Sequence, residues 1–134
     1  MNLLKRLLVF AFLIGAVQGV SCQQPTADGV RHADPAEFRK LSKGADVVIL
    51  DVRTPQEFSE GHLTGARNLD FSSEGFSASL PGMDKNTPYL VYCKSGRRSA
   101  MAASQMKDAG FKNVTDLKGG ITAWQEARLP VERN

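Results

Sequence analysis

Cysteine and histidine are scarce in this chain, at two each in 134 residues, and none of the four stands at metal-ligand spacing. That scarcity argues against a zinc site built from Cys and His. Long apolar runs are nearly absent. The longest, Leu7 to Val17, has eleven residues; as a helix it would reach only about 16 Å, against a hydrocarbon core of about 30 Å. A strong excess of one charge is missing too. Lysine and arginine total 17 against 14 acidic residues, but Lys5 and Arg6 precede the apolar run. Without those two the balance is 15 cations to 14 anions, which gives no sign of the basic face that a nucleic-acid-binding domain carries. Internal repeats and low-complexity tracts are also lacking. What remains is an ordinary globular composition, 42% hydrophobic and 23% charged, at a length that suits one domain.

The first residues, MNLLKRLLVFAFLIGAVQGVSCQQ, pair a positive start with a short apolar stretch, the pattern of a secretory signal peptide over residues 1–21. Two processing routes are open at its end. Small residues at Gly19 and Ser21 suit ordinary signal cleavage. GVSC, ending at Cys22, resembles a bacterial lipoprotein box, with Gly19 where that box carries a larger aliphatic residue. Lipidation of Cys22 would tether the domain to a membrane outside the cytoplasm, since two acyl chains anchor stably. Gln23 stands where many Gram-negative lipoproteins held at the inner membrane carry aspartate. Residues 22–29 then read as a linker and residues 30–134 as the domain. An exported chain with two cysteines also raises a Cys22–Cys93 disulfide, but that bond would join a tail to the end of a core strand and consume the one cysteine with a distinctive environment, so it is disfavoured.

Within the domain, Asp34-Pro35 is a helix start, an N-cap followed by a residue preset for the first turn, and Gly44 ends that helix. Val47 to Leu50 is too short for a helix and rich in β-branched residues; it reads as a strand covered on both faces. TPQEFSEGH holds a short helix and GARNLDF a short strand, whereas residues 72–88 contain a helical turn and little else that is legible. PYLVYC is a second core strand. RRSAMAASQMKDAG follows as a helix with Ala102, Ala103, Met106 and Ala109 on one face and Gly110 as its stop. Asn113 to Leu117 is a further strand, and Gly119-Gly120 leads into a last helix carrying Trp124. Strands alternating with helices make a mostly parallel α/β sheet with helices on both faces.

The chemistry centres on CKSGRR. Ligands of such sheets bind at the carboxyl ends of strands, where Cys93 stands with a helix starting just after it. Helix amides and the dipole's positive end face the sulfur, Gly96 lets the loop curl into an anion nest, and Lys94, Arg97 and Arg98 add positive potential. Each of these favours thiolate over thiol. Two oxyanion chemistries fit a cradled thiolate: phosphate-ester hydrolysis and sulfur transfer. Tyrosine phosphatases space cysteine and arginine as C-x5-R; here Ser99 occupies that position and Arg98 makes C-x4-R, a loop that suits one sulfur atom and crowds a phosphoryl group.

Three stretches in order, LDVRTPQEFSEGHLTGARN, YLVYCKSGRRSAMAASQMKDAGF and VTDLKGGITAW, resemble the single-domain rhodanese family from about Val30 to Val131. The resemblance implies a rhodanese-like fold with a central parallel five-stranded sheet and a Cys93 that carries a sulfane sulfur. It further implies that Lys94, Ser95, Gly96, Arg97 and Arg98 cradle the persulfide. The partners it implies are a small-molecule sulfur donor such as thiosulfate and a thiol or cyanide acceptor, with no metal or organic cofactor and no nucleic acid. Two other readings are a sulfur-carrying or sensing module with little turnover of its own, and a cysteine-dependent phosphatase or arsenate reductase. Around the site, Asp51 reads as an N-cap or loop brace, Arg53 and Glu57 as a pair across a short helix, His62 as a loop-fixing residue and Trp124 as core.

Overall fold

The computed structural model describes residues 29–133, so the leader and Cys22 lie outside the described residues. The chain runs β1 (Arg31–Ala33), α1 (Pro35–Ser42), β2 (Val48–Asp51), α2 (Pro55–Glu60), β3 (His62–Leu63), β4 (Arg67–Asn68), α3 (Glu74–Ser79), a 3-10 turn (Leu80–Gly82), β5 (Tyr89–Tyr92), α4 (Arg97–Asp108), β6 (Val114–Leu117), α5 (Gly120–Glu126) and β7 (Val131–Glu132). Five strands form one sheet in the order β1-β6-β5-β2-β4, every pair parallel. The expected five-stranded parallel sheet is therefore present. A second sheet pairs β3 with β7, antiparallel; neither of these strands nor β1 is among those expected from the sequence, since runs of two or three residues carry little periodicity.

Local chemistry sets the helix starts. The Asp34 side chain accepts the Glu37 N–H ahead of Pro35, and Thr54 and Glu57 form a reciprocal capping box ahead of Pro55. In the sheet, alternation of side chains divides the core in two. Tyr89, Val91 and Cys93 join Leu50, Val52, Ala102, Ala103 and Met106 under α4, while Leu90 and Tyr92 join Phe38, Leu117, Ile121 and Trp124 beneath α1 and α5. Trp124 is core, as expected: its ring meets Phe38 edge-on at 6.3 Å, and its indole N–H donates to the Pro130 carbonyl. β5 lies at the centre of the sheet with all four residues buried, because helices cover both faces. The same alternation sends the Cys93 side chain toward the start of α4.

Candidate active site

Cys93 follows the central strand and is 1% exposed. The chain curls through Lys94 and Ser95 to Gly96, which takes φ +100° and donates its N–H to Cys93 Sγ at 3.1 Å. A residue with a Cβ would be strained there, so the glycine is what lets the amide turn inward. Gly96 is also the N-cap of α4 and offers no side-chain cap, leaving the first-turn amides at the sulfur's end of the helix.

The back of the loop is held by α5. Ile121 N–H donates to the Cys93 carbonyl at 2.8 Å and Thr122 N–H to the Lys94 carbonyl at 3.1 Å. This approach is so close that a Cβ on Gly120 would lie 2.4 Å from the Lys94 oxygen and 2.5 Å from the Cys93 oxygen. Gly119-Gly120 thus builds the site, a role that sequence reasoning missed. Two adjacent glycines ahead of a helix were the available signal.

The charges divide into inner and outer sets. Arg98 donates two hydrogen bonds to Glu57, at 2.9 and 3.0 Å, and Glu57 also accepts from the Thr54 N–H and hydroxyl. Bonding to Arg98, against a smaller cost of burial and with help from Thr54, lowers the Glu57 carboxyl to about 2. The same hydrogen bond raises the Arg98 pKa, and the neighbouring Cys93 contributes. Glu57 thus pairs with Arg98 and not with Arg53, the partner that the four-residue spacing predicts. Arg53 precedes the helix and turns back to Asp51, donating to its carboxylate through Nε at 3.0 Å and Nη2 at 2.6 Å. Asp51 is a brace and not an N-cap, since Thr54 caps α2. It is fully buried, accepts the Arg53 backbone N–H and receives the Tyr92 hydroxyl at 2.7 Å. Burial, and then the Asp51 charge, push the Tyr92 phenol well up, so it stays a donor. Arg53 Nη2 also reaches the Gly61 carbonyl, closing the network onto the end of α2.

Lys94, Ser95 and Arg97 are exposed, and neither cation joins a salt bridge among the described residues. Lys94 borders a cleft with Arg53, Glu57, Glu60, Thr122 and Gln125. His62 fixes a loop as expected: its ring stacks on Phe58 at 3.8 Å and its Nδ1 lies 2.8 Å from the Phe58 carbonyl. The loop thus brings the Gly96 amide onto Cys93 and Arg98 within electrostatic reach of it, with Arg98 engaged by a carboxylate that the sequence had not linked to it, while Lys94, Ser95 and Arg97 face solvent.

Residues 34–127 match the profile of the rhodanese-like domain family. The chain belongs to that family. Among curated relatives of this rhodanese-like chain, thiosulfate sulfurtransferase 16 of Arabidopsis thaliana is 40% identical over 97 residues, covering 62% of this chain and 78% of the relative. The thiosulfate sulfurtransferase GlpE of Pseudomonas putida is 36% identical over 102 residues, 76% of this chain and 90% of the relative. Among solved structures, a rhodanese-related protein from Thermoplasma volcanium superposes with a TM-score of 0.70 at 29% identity, covering 78% of this chain and 99% of that one. Rhodanese-like membership and the names of these relatives place the protein in a sulfurtransferase-type family.

Proposed function

We propose that this protein is a sulfurtransferase that moves a sulfane sulfur from thiosulfate or a similar donor to a thiophilic acceptor through a persulfide on Cys93. The observation that carries the reading is the Gly96 N–H on Cys93 Sγ at 3.1 Å, inside a loop whose carbonyls are drawn away to α5. In the first half-reaction, the Cys93 thiolate attacks the outer sulfur of thiosulfate. A new S–S bond forms, the old one breaks, and sulfite leaves with the electron pair. In the second, a thiolate or cyanide attacks the outer sulfur of the persulfide, becoming a persulfide or thiocyanate, and Cys93 returns as thiolate. This is double displacement through a covalent intermediate, and it needs neither metal nor organic cofactor. The loop Lys94, Ser95, Gly96, Arg97, Arg98 is the anion cradle in this scheme, with Lys94 and Arg97 drawing the donor in. The test is the intact mass of purified protein before and after thiosulfate: gain of one sulfur atom on wild type supports the reading, and an unchanged mass with thiosulfate and with an organic persulfide overturns it.

A second reading is favoured by one observation. Arg98, the arginine nearest in sequence to closing the loop, is occupied by Glu57. A carrier or sensing module that accepts sulfur from a partner protein would have less need of a free arginine for a small dianion. Steady-state turnover with thiosulfate and cyanide separates the two, since the carrier loads sulfur but turns over slowly.

The proposal extends to location. The leader sequence and Cys22 favour an exported domain, periplasmic or tethered to a membrane through lipidated Cys22. Expression of the full chain in a bacterium with labelled fatty acid tests this: label lost on Cys22→Ser supports the tether, whereas an unlabelled soluble periplasmic protein overturns it.

A further inference from the structure

Beneath the loop runs a set of polar groups, buried at Asp116 and Ser99 and half-buried at His32, that the transfer chemistry leaves unused. His32 on β1 and Asp116 on β6 stand opposite each other in the parallel register, and Asp116 is opposite Val91 on β5. Asp116 is 3% exposed. Its Oδ2 lies 3.0 Å from His32 Nδ1, and its Oδ1 accepts the Ser99 hydroxyl at 2.5 Å. Ser99 is fully buried in the first turn of α4, and its Oγ is also 3.2 Å from the Gly96 carbonyl. Gly96 is the residue whose N–H meets Cys93 Sγ.

A carboxylate buried this deeply costs stability unless its partners offset it. Ser99 has one proton and two acceptors within reach. The charged one is the stronger, so the proton goes to Asp116. The Gly96 carbonyl is left to accept the Ala100 N–H, at 3.1 Å, which is the first helical bond of α4. Resting on the reading of Cys93 as the sulfur carrier, we infer that Asp116 is a positioning residue for the active-site loop: through Ser99 it fixes the first turn of α4, and with it the Gly96 amide on the reacting sulfur. His32, on the other oxygen, aims the carboxylate. Removal of the negative charge frees the Ser99 hydroxyl to turn toward the Gly96 carbonyl, and the loop loses its single setting.

The sign of the effect separates positioning from simple electrostatics. A negative charge near a thiolate disfavours it, so a purely electrostatic role makes Asp116→Asn react faster than wild type. Positioning makes it react more slowly. Ser99→Ala leaves every charge in place and, on the positioning account, slows the reaction too. The experiment compares wild type, Asp116→Asn, Ser99→Ala and the double variant by three readouts. These are sulfur loading from thiosulfate followed by mass, alkylation of Cys93 by iodoacetamide at fixed pH, and the position of the Gly96 amide in a nitrogen–proton spectrum. Each single variant is expected to slow loading and alkylation about tenfold, short of the hundredfold that a full ångström of misplacement costs. Each also moves the Gly96 signal, and the double variant is no slower than the worse single. Faster alkylation of Asp116→Asn, or an unmoved Gly96 signal with rates within twofold in Ser99→Ala, overturns the inference. Rates that multiply in the double variant overturn it as well. If Asp116→Asn does not fold, Ser99→Ala decides alone. If wild type does not load from thiosulfate, alkylation and the Gly96 signal still decide the positioning role, while the sulfur-transfer reading falls separately.

Discussion

Two neighbouring loops leave the carboxyl ends of adjacent parallel strands and have opposite characters. β2 and β5 pair in register, Asp51 beside Tyr92, and the next residues are Val52 and Cys93. After β2, the charges are closed on one another: Asp51 with Arg53 and Tyr92, Arg53 with the Gly61 carbonyl, Glu57 with Thr54 and Arg98. After β5, a thiol receives one backbone amide, and the cations Lys94 and Arg97 stand in solvent with no carboxylate partner among the described residues. One loop is saturated and serves as a wall. The other keeps two of its cations open to solvent, and the proposed nucleophile sits there. Buried charges stabilise a shape only when paired, while a nucleophile needs a setting that favours its anion without neutralising it.

The contrast can be broken from either side. The largest effect is expected for Cys93→Ser, which removes the proposed nucleophile: sulfur loading and thiosulfate–cyanide transfer fall to background while the urea midpoint stays near wild type. Retention of more than a trace of the wild-type rate would mean that sulfur is carried elsewhere. On the saturated side, Arg53→Ala strands the fully buried Asp51 carboxylate, which should cost about 3–5 kcal/mol in urea unfolding. A loss below 1 kcal/mol would show that the wall does not depend on the pair. Gly120→Ala tests the joint between α5 and the reactive loop. Its Cβ collides with the Lys94 and Cys93 carbonyls, so a stability loss of about 2 kcal/mol is expected together with slower Cys93 alkylation.

The smallest effect sharpens the comparison by pH. Glu57 is held at about 2 against an ordinary 4.5, chiefly by Arg98. The folded carboxyl is the stronger acid, so the pair contributes in full above 4.5 and is lost as pH falls toward 2. In urea titrations at a series of pH values, Glu57→Gln should flatten that part of the acid limb. An acid limb identical in variant and wild type would remove Glu57 from the account.

The parts legible in the sequence are those encoded by near neighbours. β2 and β5 announce themselves as continuous apolar runs, α4 as a periodic face, and the Cys93 loop as a strand end followed by Gly96 and a helix start. The pairing of Arg98 with Glu57 joins residues 41 apart and leaves no local trace. Arg53 and Glu57 have helical spacing, but Thr54 and Pro55 open the helix after Arg53, so the two never share a helical face. β3 and β7 are two residues each and exist only because they find one another. Asp116 lies inside a stretch that reads only as a strand, and what it meets, His32 on β1 and Ser99 on α4, comes from distant parts of the chain.

The side on which the thiol emerges is a matter of parity. Cys93 belongs with Tyr89 and Val91, an even number of steps along an extended chain, and so lies under α4 rather than α5. One residue inserted within Tyr89–Tyr92 would send the same sulfur to the opposite face, toward Phe38 and Trp124, with no amide waiting for it. The sulfur is thus addressed by counting as much as by composition: a frame of two governs which half of the molecule it faces.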